Sequence, residues 1–275
     1  MAPRIVRQMA QLAPPGVRRA VLGALSDVRG LPARLTDPAR RGEPWAFIHN
    51  IGDGDFVAVG AQLRRNLVDH AGLTGADRVL DIGCGNGRVA EQVAPLLAAG
   101  GGGYVGFDIS RAGIQACRRR FARRPHMRFE HLDVWNGEYN ASGKVAELDA
   151  VFPAADATID LAFATSVFTH MRMAGVRRYL AEAARVLKPG GRLAFTCFAL
   201  ESGRETSALF AFQPFDATSS VVDPRVPERA IGHRREILEA ALAQVGLKVE
   251  AVLKGDWAPP GEYDGGQDLV VALKA

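Results

Sequence analysis

The chain has 275 residues, 48% of them hydrophobic, 23% charged and 7% aromatic, a globular composition that excludes collagen-like, disordered and disulfide-scaffold chains. Its 34 basic residues outnumber the 30 acidic ones, a balance that suggests nucleic acid until the charge is located. Cys84, Cys117 and Cys197 have no CxxC spacing, so neither a zinc site nor a disulfide framework is expected and a reducing cytoplasm fits.

Residues 1–45 read as a basic, Pro/Arg-rich arm. Eight arginines there face only Asp27, Asp37 and Glu43, so residues 46–275 are close to neutral and the nucleic-acid reading loses its support. The opening MAPRIVRQMAQLAPPG lacks the apolar stretch of a secretory signal, and no apolar run in the chain approaches the roughly 18 residues of a membrane span. Val17, Val21, Leu22, Leu25 and Val28 stand at helical spacing, which predicts one short helix over 17–28, docked on its own domain rather than on a membrane surface.

Residues 46–275 are expected to form one α/β domain. Phe56, Val59, Gly60, Leu63, Leu67 and Val68 repeat with a helical period up to Ala71-Gly72. Strands are predicted at 78–84, 103–109, 127–133, 158–165 and 192–198, with helices at 87–97, 111–123 and 172–187. Lys188-Pro189-Gly190-Gly191 stops the last of these helices. Residues 199–232 have no clear period and read as a lid or insertion, in which Phe210, Phe212, Phe215, Val221 and Val222 either wall a pocket or simply pack. A helix over 234–245 and antiparallel strands at 247–254 and 267–274 complete the chain. The alternation predicts a doubly wound, seven-stranded, mostly parallel sheet with helices on both faces and an antiparallel last strand.

Asp81-Ile82-Gly83-Cys84-Gly85-Asn86-Gly87 ends the first of these strands. Its glycines permit a tight turn and close ligand approach. Arg88 stands where a dinucleotide fingerprint needs glycine, and the Gly-Lys-Ser/Thr of a triphosphate loop is absent. Asp81 would repel a phosphate but suits an amine or sulfonium cation. Asp108, 21 residues after Gly87, closes the second strand, where a carboxylate accepts both hydroxyls of a ribose. Asp133 closes the third, positioned to accept from an exocyclic amine of a base. Any one of these acids could merely cap the next helix. Together they line one crevice at the carboxyl ends of the strands.

These motifs resemble the class I S-adenosylmethionine-dependent methyltransferases of the small-molecule type. The likeness covers roughly residues 51–275 through VLDIGCGNGR (79–88), YVGFDIS (104–110), FEHLDV (129–134), ATSVFTHM (164–171), EAARVLKPGGRLAFTCF (182–198) and QDLVVALK. It implies a Rossmann-like methyltransferase fold with S-adenosyl-L-methionine as cofactor. Gly83, Cys84, Gly85 and Gly87 would then surround the methionine part beside Asp81, Asp108 with Ile109 would hold the ribose, and Asp133 and Val134 would edge the adenine. Backbone near Thr165 closes the pocket, and Phe56 of IGDGDFVAVG packs over the cofactor.

For the acceptor, a small molecule is expected, most of all a hydroxyl on a sugar, lipid-linked or secondary metabolite, with no nucleic-acid partner and no metal. His170, after the fourth strand, is the candidate base, a helix-start histidine satisfied by backbone being the other reading. His233 is a weaker second candidate. Ala164-Thr165-Ser166-Val167 carries neither the Asn/Asp-Pro-Pro-aromatic motif of exocyclic-amine enzymes nor the Pro-Cys of cytosine C5 enzymes. Methylation at nitrogen or carbon, RNA modification and cofactor binding without turnover stay open. The arginine run over 118–124 reads as a solvated helix end.

Overall fold

Neighbouring residues of the central strands point into two different cores. Val79, Leu161, Phe163 and Ala194 face one, while Leu80, Ile82, Ala162, Leu193 and Phe195 face the other. Strands buried on both faces need helices on both sides. In the computed structural model, which describes residues 15–36, 55–137 and 139–275, that is the arrangement.

Helix α1 (Pro15–Thr36) comes first. After α2 (Phe56–Asp69), capped by the Asp55 carboxylate on the Val57 and Ala58 amides, the βα alternation begins. It runs β1 (Arg78–Ile82), α3 (Arg88–Gly100), β2 (Gly103–Asp108), α4 (Arg111–Arg120) and β3 (Met127–His131). Then come β4 (Ile159–Ala164), α5 (Met173–Val186), β5 (Leu187–Cys197), α6 (Arg235–Gln244), β10 (Leu247–Leu253) and β11 (Asp268–Lys274). The sheet order is β10-β11-β5-β4-β1-β2-β3. The inner pairs are parallel, and β11 is antiparallel to both β5 and β10. Leu67 of α2, Val93 and Leu97 of α3 and Ile114 of α4 cover one face. Val176 and Leu180 of α5 with Leu238 and Leu242 of α6 cover the other. Strand order reverses between β1 and β4, so the crevice opens beyond their carboxyl ends.

Three local expectations are corrected. Strand β5 begins at Leu187, not 192: Lys188-Pro189-Gly190-Gly191 is an excursion within it, with Gly190 at φ +75° and a register shift opposite Ile159/Leu161. The amino-terminal helix spans 15–36 rather than 17–28 and passes through Pro32. Of the residues expected to dock, Val28 is 71% exposed and Leu25 is half-buried, while Leu31 and Leu35, past the expected end, are 42% and 67% exposed. The remaining parts of the arm, 1–14 and 37–45, and residues 51–54 of the IGDGDFVAVG segment lie outside the described residues.

The insertion is ordered as a second sheet, β6-β9-β8-β7, built from Ala199–Leu200, Ile231–Arg234, Ser219–Val221 and Gln213–Pro214. Its aromatics mostly pack. Phe198, Leu200, Phe212 and Trp257 form a third core with Phe210 and Val222 against it, and Val221 is fully buried. The sheet is tied to the loop before β11 by Asp268, 1% exposed, which accepts from the Ala199 and Gly255 amides, Trp257 Nε1 and Arg204 Nη1 at 2.8–3.0 Å.

Candidate functional site at the carboxyl ends of the strands

Gly83, Gly85 and Gly87 take φ of +74°, +56° and +84°. A Cβ at Gly83 would meet Val167 Cγ2 at 2.5 Å, and one at Gly87 would meet Phe121 Cε2 at 2.9 Å. Only glycine fits both the backbone and the space. The Gly83 and Cys84 amides donate to Phe107 O at 2.9 Å, fastening the turn to the end of β2. Cys84 is buried, and burial pushes its thiol well above its ordinary pKa, so it serves packing rather than nucleophilic chemistry.

Asp81 is 1% exposed. Its Oδ2 accepts from the Tyr104 hydroxyl at 2.5 Å, and its Oδ1 has no protein partner. Burial, only partly offset by the Tyr104 hydrogen bond, raises its pKa to about 7. Asp108 accepts from the Ser110 amide at Oδ1 (2.7 Å) and from the Gly85 amide at Oδ2 (2.8 Å). Burial raises its pKa as well, against these donors. Each carboxylate oxygen retains a second acceptor direction. The carbonyl of Ile109 accepts from His131 Nε2 at 3.2 Å.

Asp133 follows β3, and Asn140 reaches back to it. The Asn140 amide donates to Asp133 Oδ1 at 3.3 Å and to Val134 O at 2.9 Å. A bridge between Val134 and Val145 closes this loop. At the end of β4, Thr165 is half-buried and Ser166 takes φ +55°, a left-handed conformation that a residue with a side chain rarely adopts. Its amide donates to Thr196 Oγ1 at 2.8 Å.

His170 closes a short helical turn, Phe168–His170. Its Nδ1 lies 2.7 Å from Glu228 O. A carbonyl only accepts, so Nδ1–H donates to it. The Tyr139 ring meets its edge at 5.4 Å. His233 lies in the core, fully buried, with Nε2 donating to Phe168 O and Nδ1 bonded to Ser219 Oγ, both at 3.2 Å. Burial drops its pKa to about 4, so it is neutral and structural. Phe56 is 7% exposed, with the Arg88 and Arg120 guanidiniums across its ring at 5.7 and 5.2 Å.

The motif reading passed over Asn86, whose polarity among three glycines was its only signal. It is 4% exposed, and both its amide oxygen and its amide nitrogen lack protein partners. Buried amides without partners are uncommon outside ligand sites. Among the described residues no three His, Cys, Asp or Glu side chains are grouped to hold a metal ion. The concavity between Gly102, Tyr104, His126 and Arg128 lies at the opposite ends of the strands and is no part of this site.

A doubly wound sheet with strand-end acids around a left-handed glycine turn defines the nucleoside-binding class of α/β proteins. Residues 80–195 match the family model described as a methyltransferase domain, and the fold is shared with solved S-adenosylmethionine-dependent methyltransferases. The demethylmenaquinone methyltransferase of Symbiobacterium thermophilum is 33% identical over 152 residues, covering 54% of this chain and 51% of that one. The O-methyltransferase rstn1 of Aspergillus nomiae is 27% identical over 156 residues, covering 54% and 59%. The chain thus spans about half the length of these curated relatives. The geranyl diphosphate C-methyltransferase of Streptomyces coelicolor, crystallised with S-adenosyl-L-homocysteine, shares the fold at a TM-score of 0.53 with 18% identity, covering 79% of this chain and 76% of that one.

Proposed function

We propose that the protein transfers a methyl group from S-adenosylmethionine to a small molecule, at a hydroxyl of a sugar, lipid-linked or secondary metabolite. The observation that carries this reading is the left-handed Gly83–Gly87 turn bonded to Asp108, with the unpartnered polar atoms of Asp81 and Asn86 beside it. These residues fit the cofactor's parts: Asp81 the ammonium group, the glycine turn and Asn86 the methionine carboxylate region, Asp108 the ribose diol, and Asp133 with Val134 the adenine. Bound there, S-adenosylmethionine supplies a methyl group on a positively charged sulfur.

The chain's own task is alignment and proton removal. Holding donor and acceptor in line at contact distance is worth about 7–11 kcal/mol. His170 takes the acceptor's proton at Nε2, because its Nδ1–H is committed to Glu228 O. The charge distribution supports a small acceptor over RNA: Arg118 pairs with Glu130, and Arg120 and Arg124 pair with Glu91. Two of the curated relatives carry names that support a small acceptor, a demethylmenaquinone methyltransferase and an O-methyltransferase. The three free, buried cysteines suit a reducing cytoplasm.

The test is transfer of labelled methyl from S-adenosylmethionine into a host metabolite extract, with identification of the product. A labelled oxygen-methylated small molecule is expected. Label on nitrogen or carbon would overturn the hydroxyl assignment, and no labelled small molecule would overturn the reading.

A further inference from the structure

The amino-terminal helix α1 presents an apolar stripe that nothing in the described fold covers. Ala24, Val28, Leu31 and Leu35 recur at i, i+4, i+7 and i+11, one face of a helix, and all four are exposed, Val28 and Leu35 to 71% and 67%. They include three of the exposed large hydrophobic residues among those described. The helix carries four arginines and a single acid. That acid, Asp27, is 8% exposed in its side chain and already paired with Arg34 at 3.4 Å. Arg29 is exposed beside the stripe, and no carboxylate in the helix opposes it.

An exposed apolar stripe on a helix of net positive charge, with Arg29 exposed beside it, suits an anionic surface with an apolar interior. A lipid bilayer leaflet bearing anionic headgroups offers both. No described helix is long and apolar enough to cross a membrane, so attachment is along the surface. We infer that α1 lies in the membrane interface, with Val28, Leu31 and Leu35 in the acyl boundary and the exposed Arg29 at the headgroups of anionic lipids. This holds the domain at a lipid surface whatever its acceptor is, and does not rest on the methyl-transfer reading.

The experiment is co-sedimentation of the full chain with phosphatidylcholine vesicles and with mixed phosphatidylcholine–phosphatidylglycerol vesicles, at low and high salt. Binding to the mixed vesicles is expected, weakened by salt and about tenfold or more weaker on phosphatidylcholine alone. The double variant Val28→Asp/Leu35→Asp should lose about tenfold or more of it, since each side chain buried is worth roughly that factor. Its thermal melting should stay unchanged because both positions are exposed. A wild-type chain that stays in the supernatant, equal binding to both vesicle types, or a double variant that binds as well as wild type overturns the inference. So does a self-associated chain, by light scattering, that ignores vesicles and becomes monomeric in the double variant.

Discussion

The Gly85 amide donates to Asp108 Oδ2 at 2.8 Å, so the turn after β1 and the acid at the end of β2 form one rigid unit. The same carboxylate takes the Ser110 amide at the start of α4. Asp108→Asn keeps the size but sets an NH₂ against one of these amides. Hydrogen bonds to a charged group are worth about 1.5–3 kcal/mol. S-adenosylhomocysteine affinity is therefore expected to fall about 10- to 100-fold with the fold retained by circular dichroism. An unchanged dissociation constant would remove Asp108 from the ligand site.

Asp81 makes the affinity depend on pH. Its folded pKa is raised to about 7 from an ordinary 3.8, so the carboxyl is half protonated near neutrality. A ligand ammonium beside it favours the ionised form, so binding releases a proton and strengthens as pH rises through about 6 to 7.5, below the range where the ligand amine itself titrates. For the empty protein the sign is opposite: burying the charged form costs stability progressively from pH 3.8 up to about 7. Calorimetry in buffers of different ionisation enthalpy reads the released proton. Asp81→Asn should abolish it, and the same release in that variant would assign the proton elsewhere.

His170→Ala should lower turnover by about 10²–10⁴-fold while leaving S-adenosylhomocysteine affinity unchanged. Equal turnover of the two enzymes would return His170 to a positioning role on Glu228.

Asp268 is predicted to hold the small sheet against the main one. Asp268→Ala would leave Arg204, 13% exposed in its side chain, without its carboxylate and Trp257 Nε1 without an acceptor. Breaking a buried ion pair from one side costs about 3–5 kcal/mol. Urea unfolding should show a loss of that size, and a loss below about 1 kcal/mol would mean that the small sheet is held by its apolar core alone.

The central sheet was legible because its strands are apolar on both faces; β1 runs into Gly83 and β2 ends at Asp108 as expected, while β3 stops at His131, two residues short of the Asp133 expected to close it. Helix α1 ran past its expected limits because Pro32 was tolerated inside it. The small sheet was not legible: its strands are two to four residues long, too short for any period. Nor was the Asp268 cluster, whose partners Ala199 and Arg204 lie 69 and 64 residues away in sequence. His233 stood near the expected acceptor side, yet Phe168 O and Ser219 Oγ claim both its ring nitrogens inside the core. Asn86 was overlooked because a polar residue between glycines gains meaning only once its amide is found buried and unpartnered.

The most direct measurement is calorimetric titration of the full chain with S-adenosylhomocysteine. Saturable one-to-one binding is predicted, abolished or greatly weakened in Asp108→Ala. Absence of binding to the folded wild-type chain, or binding that Asp108→Ala leaves untouched, would contradict the crevice at the ends of β1, β2 and β4 as a cofactor site.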